Sequence, residues 1–388
     1  MTDPNNESEE RVMLPPRPLS AQKGRGAVSN LQGRYEINGR ESFDDGWTHD
    51  SDDGEGAPFK TQVTDEFAKS ILSRNSSPDL PFNVSLNPYR GCEHGCIYCF
   101  ARPTHSYLGL SPGLDFESRL FAKVNAPELL RRELARPAYV PESIAIGVNT
   151  DAYQPCEREL RITRKVIEVL HDCEHPFALI SKSSLIERDI DLIAPMAAKN
   201  LAIAAITLTT LDPAISRTLE PRAAAPARRL RTIRALADAG SPVRVSVAPV
   251  IPFVTEPELE RVLEAARDAG AVSAHYVVLR LPWEVNPLFQ QWLEAHFPDR
   301  AARVMNRVRE MRGGKEYDSD FSKRMHGEGV WADLIRQRFV KAVDRLGMNL
   351  TSARFAELDT RQFKKPEVVP PAKPKQCGNA TGQLDLFS

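Results

Sequence analysis

Residues 87–103 read NPYRGCEHGCIYCFARP. Cys92, Cys96 and Cys99 stand four and three residues apart, and Gly91 and Gly95 leave the backbone free to turn all three thiols to one side of a tight loop. Three thiolates in one loop suit a 4Fe-4S cluster with one iron left without a protein ligand, an open position at which a small molecule binds and is reduced. A structural zinc site is the other chemistry this spacing admits, with His94 or His105 as the fourth tetrahedral ligand.

The remaining composition suits thiols kept reduced. Cys156, Cys173 and Cys377 are scattered, so the six cysteines make no disulfide framework. The N-terminus, MTDPNNESEERVMLPPRPLS, carries charge and proline where a signal peptide needs an apolar run. No later stretch approaches the roughly 18 apolar residues of a membrane span. The expected location is the cytoplasm, with no membrane partner. With 388 residues, 41% of them hydrophobic, the chain is long enough for one large core or two modest ones. Its formal net charge of -1 makes no global field to gather nucleic acid, which leaves only a local basic groove for such a partner.

Outward from the cysteine loop, short apolar runs alternate with helix-length amphipathic segments, the pattern of β/α units around a parallel sheet. Strands are expected at 82–86, 143–148, 177–180, 202–208, 243–247 and 275–279, and helices near 127–135, 159–171, 185–198, 227–239 and 256–269. Gly240 and Gly270 end two of these helices as C-caps. Right-handed crossovers wind such units into a barrel or an open doubly wound sheet, and in both the ligands gather past the strand C-termini. That rule places the chemistry at Cys92, Thr150, Ser181, Thr209, Pro249 and Arg280.

Residues 1–60 lack apolar periodicity, with seven acidic residues and no Lys or Arg in 41–55, and are expected to be mostly disordered. Residues 61–285 make the β/α core. Residues 286–363 make a helical extension whose amphipathic segments cover the open side of the barrel, and 364–388 form a flexible Pro- and Lys-rich tail.

With Tyr98 just before its third cysteine, CEHGCIYC resembles the radical S-adenosylmethionine (radical SAM) superfamily, and residues 80–350 resemble its spore photoproduct lyase-like branch. The resemblance implies an α/β fold, a partial (β/α)6 barrel, and a 4Fe-4S cluster on Cys92, Cys96 and Cys99. It further implies S-adenosylmethionine at the open iron beside Tyr98, its cleavage to a 5′-deoxyadenosyl radical, and an electron donor such as flavodoxin or ferredoxin. Thr150 or Asp151 would then accept from the cofactor's ammonium group, and Lys182 would pair with its carboxylate. Capping by Asp151 and solvent exposure of Lys182 are the plain alternatives.

Thr207 and Thr209 end the fourth strand within reach of the cofactor, although β-branched residues also simply favour strands. Glu220 and Arg222 follow near the same rim. Arg280, past the sixth strand, suits a phosphate or carboxylate of the substrate. The branch returns hydrogen through a cysteine near the end of its second strand, where this chain has Val148; Cys156 is the nearest substitute, and thymine-dimer repair is in question.

The chain ends Gln383-Leu384-Asp385-Leu386-Phe387-Ser388. This resembles the peptide that bacterial repair and replication proteins insert into the sliding clamp, with Leu384, Leu386 and Phe387 in an apolar groove and Gln383 at its edge. The combined expectation is a radical enzyme acting on nucleic acid or a nucleotide-derived lesion. Radical chemistry on a protein or small molecule, and a non-catalytic metal-binding module, are the alternatives.

Overall fold

The computed structural model describes residues 23–36, 60–349 and 358–367. Its strands are β1 (Gln62–Glu66), β2 (Leu72–Arg74), β3 (Val84–Leu86), β4 (Tyr89–Arg90), β5 (Arg119–Lys123), β6 (Ile144–Ile146), β7 (Phe177–Ser181), β8 (Ala202–Thr207), β9 (Val243–Val250) and β10 (Ser273–Val278). The helices are α1 (Leu114–Ser118), α2 (Ala126–Leu134), α3 (Glu157–Leu160), α4 (Ile162–Asp172), α5 (Ile190–Ala198), α6 (Pro213–Leu219), α7 (Pro226–Asp238), α8 (Leu259–Asp268), α9 (Val285–His296), α10 (Pro298–Glu310) and α11 (Gly329–Arg345).

Six parallel strands lie side by side in chain order, β3-β6-β7-β8-β9-β10, with β2 antiparallel on the outer edge of β3. A doubly wound sheet would reverse direction at a switch point. Here consecutive order puts the crossover helices on one face, and the result is an open, singly wound α/β sheet in which all six expected strands occur. Outward residues such as Val84, Ile144, Phe177, Leu179 and Val245 form the main core with the apolar stripes of α2, α4, α5, α7 and α8. Full burial of each such side chain contributes about 1.5–3 kcal/mol. The alternate residues Ala145, Ala178 and Ile203 face inward with Leu358, and the two alanines keep that face low enough to leave space.

A three-stranded sheet, β1-β5-β4, was not expected. β1 is polar and largely exposed, so it shows no apolar pattern. The sheet matters because β4 runs directly into Gly91 and Cys92.

Three expectations need correction. The helical extension does not cover the open side: α11 joins the outer core beside α8, and its Phe339 ring lies 4.6 Å from Tyr276. α9 and α10 build a second core in which Trp292, Phe289 and Val304 pack with Ile97 of the cysteine loop. The open edge is instead met by the loop between α10 and α11, where Met325 O accepts from Val278 N at 2.9 Å.

Second, residues 23–36 of the supposed arm are packed, with Ala27 fully buried in the second core. Third, the tail begins later than residue 364. Phe363 packs on Tyr139 and His175, and Lys364 N donates to Cys173 O at 2.8 Å. Residues 1–22, 37–59, 350–357 and 368–388 lie outside the described residues, and with them the acidic stretch, Cys377 and the terminal peptide. Among the described residues no helix is long and apolar enough to cross a membrane.

Candidate active site

A cavity of about 740 Å³ opens on the inner face, at the C-terminal ends of the parallel strands, and Cys92, Cys96 and Cys99 all line it. Backbone bonds Gly95 N to Cys92 O and Cys99 N to Cys96 O, both 3.2 Å, fold the three cysteines into successive turns. Gly91 and Gly95 have φ of 73° and 66°, the left-handed region that favours glycine. A Cβ on Gly95 would also lie 2.6 Å from Glu117 Oε2.

Buried ion pairs hold this loop from both sides. Arg102 is fully buried: Nε donates to Cys96 O (2.9 Å), Nη1 to the carbonyls of Pro112 and Gly113, and Nη2 to Gly95 O (3.0 Å) and Glu117 Oε1 (2.5 Å). Glu117 also accepts from Gly26 N and Ala27 N, which clamps the N-terminal segment beneath the loop. On the other side the Tyr98 hydroxyl donates to Glu220, which also accepts from Thr209 Oγ1 (2.8 Å) and Arg229 Nη2 (2.5 Å). Burial pushes the Glu220 carboxyl up, but Arg229 and Lys182 outweigh it and leave the pKa lowered.

Asp151 ties three loops together. It accepts from Ser181 Oγ (2.8 Å), Lys182 N (2.7 Å) and Tyr153 N (2.9 Å), and His94 Nδ1 stands 3.3 Å away. Burial raises its pKa; His94 and the backbone donors more than offset this, and the carboxyl sits at about 2.

Of the sequence-predicted residues, Tyr98, Asp151, Lys182 and Thr207 line the cavity with the three cysteines. Lys182 Nζ lies 5.8 Å from the Tyr98 ring centre. Burial lowers its pKa, but Cys96, Glu220 and Asp151 leave it raised, so the site retains a cation. Lys182 is thus half-buried on the cavity lining and not on an exposed loop. Three residues are not brought to the cavity. Thr150 Oγ1 donates to Tyr89 O behind the loop, Thr209 serves Glu220, and Arg222 pairs with Glu93 at 2.8 Å on the outer side. Cys156 packs against the main core, whereas Val148 does line the cavity. The sequence reading missed Arg102, Glu117 and Arg229 altogether. Their only signal was charge at positions the fold must bury.

The cavity lining is also rich in basic side chains. Arg74, Arg244, Arg280 and Arg324 line the cavity with Lys182, against the carboxylates of Asp79 and Asp151. Asp79 is taken up by Arg324 at 2.5 and 2.6 Å. Arg280 Nη1 reaches only Met325 Sδ, at 3.4 Å, and its Nε is buried without a hydrogen-bond partner.

The cysteines fit an iron-sulfur cluster. All three are free thiols. Burial, then Asp151 and the neighbouring cysteines, push the Cys92 thiol well up, and burial leaves Cys96 at about 12. Thiols that resist ionising alone are held as thiolates once bound iron supplies the positive charge. Of the two candidate fourth ligands for zinc, His105 is turned away, its Nε2 2.9 Å from Arg119 O, whereas His94 lines the cavity with the cysteines and stands beside Asp151. Among the described residues no three of His, Cys, Asp and Glu converge on a single ion.

Comparison with known proteins agrees with this geometry. The radical SAM superfamily pattern matches residues 86–266. An uncharacterised protein of Mycobacterium tuberculosis is 37% identical over 238 residues, 61% of this chain and 70% of the relative. The chain belongs to the radical SAM superfamily. A more distant relative of this radical SAM enzyme, an uncharacterised protein of Methanocaldococcus jannaschii, is 21% identical over 249 residues, 64% of this chain and 89% of the relative. In fold it is similar to a mutant of spore photoproduct lyase, with a TM-score of 0.50 at 14% identity, over 74% of this chain and 80% of that one. Spore photoproduct lyase complexed with dinucleoside spore photoproduct matches over the same shares, with a TM-score of 0.50 at 13% identity.

Proposed function

We propose that this radical SAM enzyme holds a 4Fe-4S cluster on Cys92, Cys96 and Cys99 and directs its chemistry at a nucleic acid or a nucleotide-derived lesion. When bound, the cluster and S-adenosylmethionine supply a reductively cleavable sulfonium and, from it, a 5′-deoxyadenosyl radical that abstracts hydrogen. Arg102 and Glu117 fix the cysteine loop before any ligand arrives. Lys182 offers a half-buried cation for the carboxylate of S-adenosylmethionine, with the Tyr98 ring beside it and Thr207 on the same cavity lining. Asp151 contributes its charge, since its oxygens are already taken by other donors.

The observation that carries the substrate class is the basic lining of the cavity. Four arginines line it, Arg74 paired with Glu142 at 2.8 Å and Arg324 with Asp79, and cations gathered there beside Lys182 favour a phosphate-bearing molecule. A dinucleoside occupies one solved protein of similar fold, in agreement. Val148 stands where that branch has its hydrogen-returning cysteine. Among the described residues only the three cluster cysteines line the cavity, which supports a reaction other than thymine-dimer repair. The cleavage calls for a low-potential electron donor such as a flavodoxin or ferredoxin. The terminal peptide, Gln383 to Phe387, is the proposed clamp anchor, and its deletion should abolish co-elution with a bacterial sliding clamp.

Anaerobic reconstitution with iron and sulfide, then dithionite and S-adenosylmethionine, tests the chemistry. The wild type should form 5′-deoxyadenosine and Cys99→Ala none. Purified protein that holds zinc and forms no nucleoside would sink the reading.

A further inference from the structure

Outside the cavity, flat side chains line up in a ladder. The rings of Tyr107 and Tyr35 stack at 5.1 Å, 28° from parallel. The Arg34 guanidinium lies 5.5 Å from the Tyr35 ring centre and 4.4 Å from that of Trp283. The three aromatic residues nonetheless remain 66%, 53% and 61% exposed in that order, so each still offers ring surface to a ligand.

The ladder is held in place. Arg34 Nε donates to Glu284 Oε1 at 2.7 Å. Trp283 has φ of 47°, a left-handed conformation that is strained for a bulky side chain. A turn with no other duty would use glycine there. An exposed indole held in a strained backbone gains little from packing, which points to a ligand.

Chain connectivity joins the ladder to the cavity. Trp283 lies three residues after Arg280, whose guanidinium is 5.4 Å from the Phe100 ring, and both Arg280 and Phe100 line the cavity. Tyr107 belongs to the 3-10 turn that follows Phe100.

The geometry points to a platform for single-stranded nucleic acid, with unpaired bases stacking on Trp283 and Tyr107 while the backbone is drawn to Arg280 and the target nucleotide enters the cavity. This rests on the nucleic-acid reading above and adds strandedness to it. Bases inside a duplex do not offer their faces, whereas aromatic platforms beside basic grooves bind single strands with little sequence preference. Arg34 fills the gap between Tyr35 and Trp283, so the ladder presents flat faces, to which a base is the better fit, with little room for a protein side chain to insert.

The test is fluorescence anisotropy on the full chain with a labelled oligonucleotide of about 12 nucleotides, single-stranded and duplex, over a range of salt. The wild type should prefer the single strand. The double variant Trp283→Ala, Tyr107→Ala should lose roughly tenfold or more in affinity with the slope against log salt unchanged, because stacking is removed and phosphate contacts remain. Trp283→Gly separates binding from folding: relief of the strained backbone should raise the Tm while affinity falls. Undiminished single-strand affinity in the double variant overturns the platform and leaves the nucleic-acid reading standing. A wild type that binds neither single-stranded nor duplex DNA or RNA overturns both.

Discussion

Two arginines frame the cavity in opposite ways. Arg102, behind the cysteine loop, is fully buried and each of its three nitrogens donates to an oxygen. Arg280, on the cavity lining, has one donor on a sulfur and a buried Nε with no partner. A buried donor left unmet costs about 1–3 kcal/mol, and on a cavity lining a ligand that accepts from it recovers that cost. The comparison separates a wall finished before ligands arrive from a wall that awaits them. The cluster side is rigid because a misplaced thiolate loses its metal. The Arg280 side leaves its charge for the substrate.

The first way to break this comparison is through Arg229, which closes the Tyr98–Glu220 network. Arg229→Met takes from the buried Glu220 its ion-pair partner, leaving Tyr98, Thr209 and the field of Lys182, and should cost about 3 kcal/mol in denaturant unfolding. A double variant that also replaces Glu220 with leucine should recover much of that loss. If Arg229→Met unfolds like the wild type, the finished wall is not finished.

Arg280→Ala should do the reverse. Stability should hold or rise slightly, while kcat/KM on a phosphate-bearing substrate falls roughly tenfold to a hundredfold, the worth of a hydrogen bond to a charged group. A loss of stability matching that of Arg229→Met would show that both walls are structural.

Asp151 gives the smallest effect and sharpens the first wall. Its folded pKa of about 2 lies below the ordinary 3.8, so the unfolded chain binds the proton more readily. The resulting stability, about 2 kcal/mol, is present in full above about pH 4 and lost as pH falls through about 2. Unfolding followed between pH 5 and pH 2 should show the wild type converging on Asp151→Asn at the acid end. A gap that stays constant would mean the carboxylate bonds are not what holds the three loops.

The legible parts of the molecule were those whose signal is local. The run Ala202–Thr207 reads as a strand because parallel strands buried on both faces are nearly continuous apolar text. Gly240 and Gly270 read as helix stops, and their φ values of 82° and 105° agree. Asp151, Lys182 and Thr207 were found because strand ends are where ligands gather in such sheets, and Tyr98 because it precedes the third cysteine of the motif. Thr150 is one residue from Asp151 and faces the other way, whereas Thr209 and Arg222 lie in the irregular chain beyond β8, where sequence gives no facing at all. β1 and the packed segment 23–36 left no trace, because polar or glycine-rich text becomes structure only when a partner supplies it.

The sequence by itself determined the order of the six parallel strands and their crossover helices and the cysteine spacing, because periodicity and close spacing are properties of neighbours along the chain. Only the tertiary structure decided which charges are buried together. Arg102 with Glu117 and Arg229 with Glu220 lie 15 and 9 residues apart, and Gly26 meets Glu117 across 91. Pairing energy depends on distance and burial in space, which no count of residues along a chain contains.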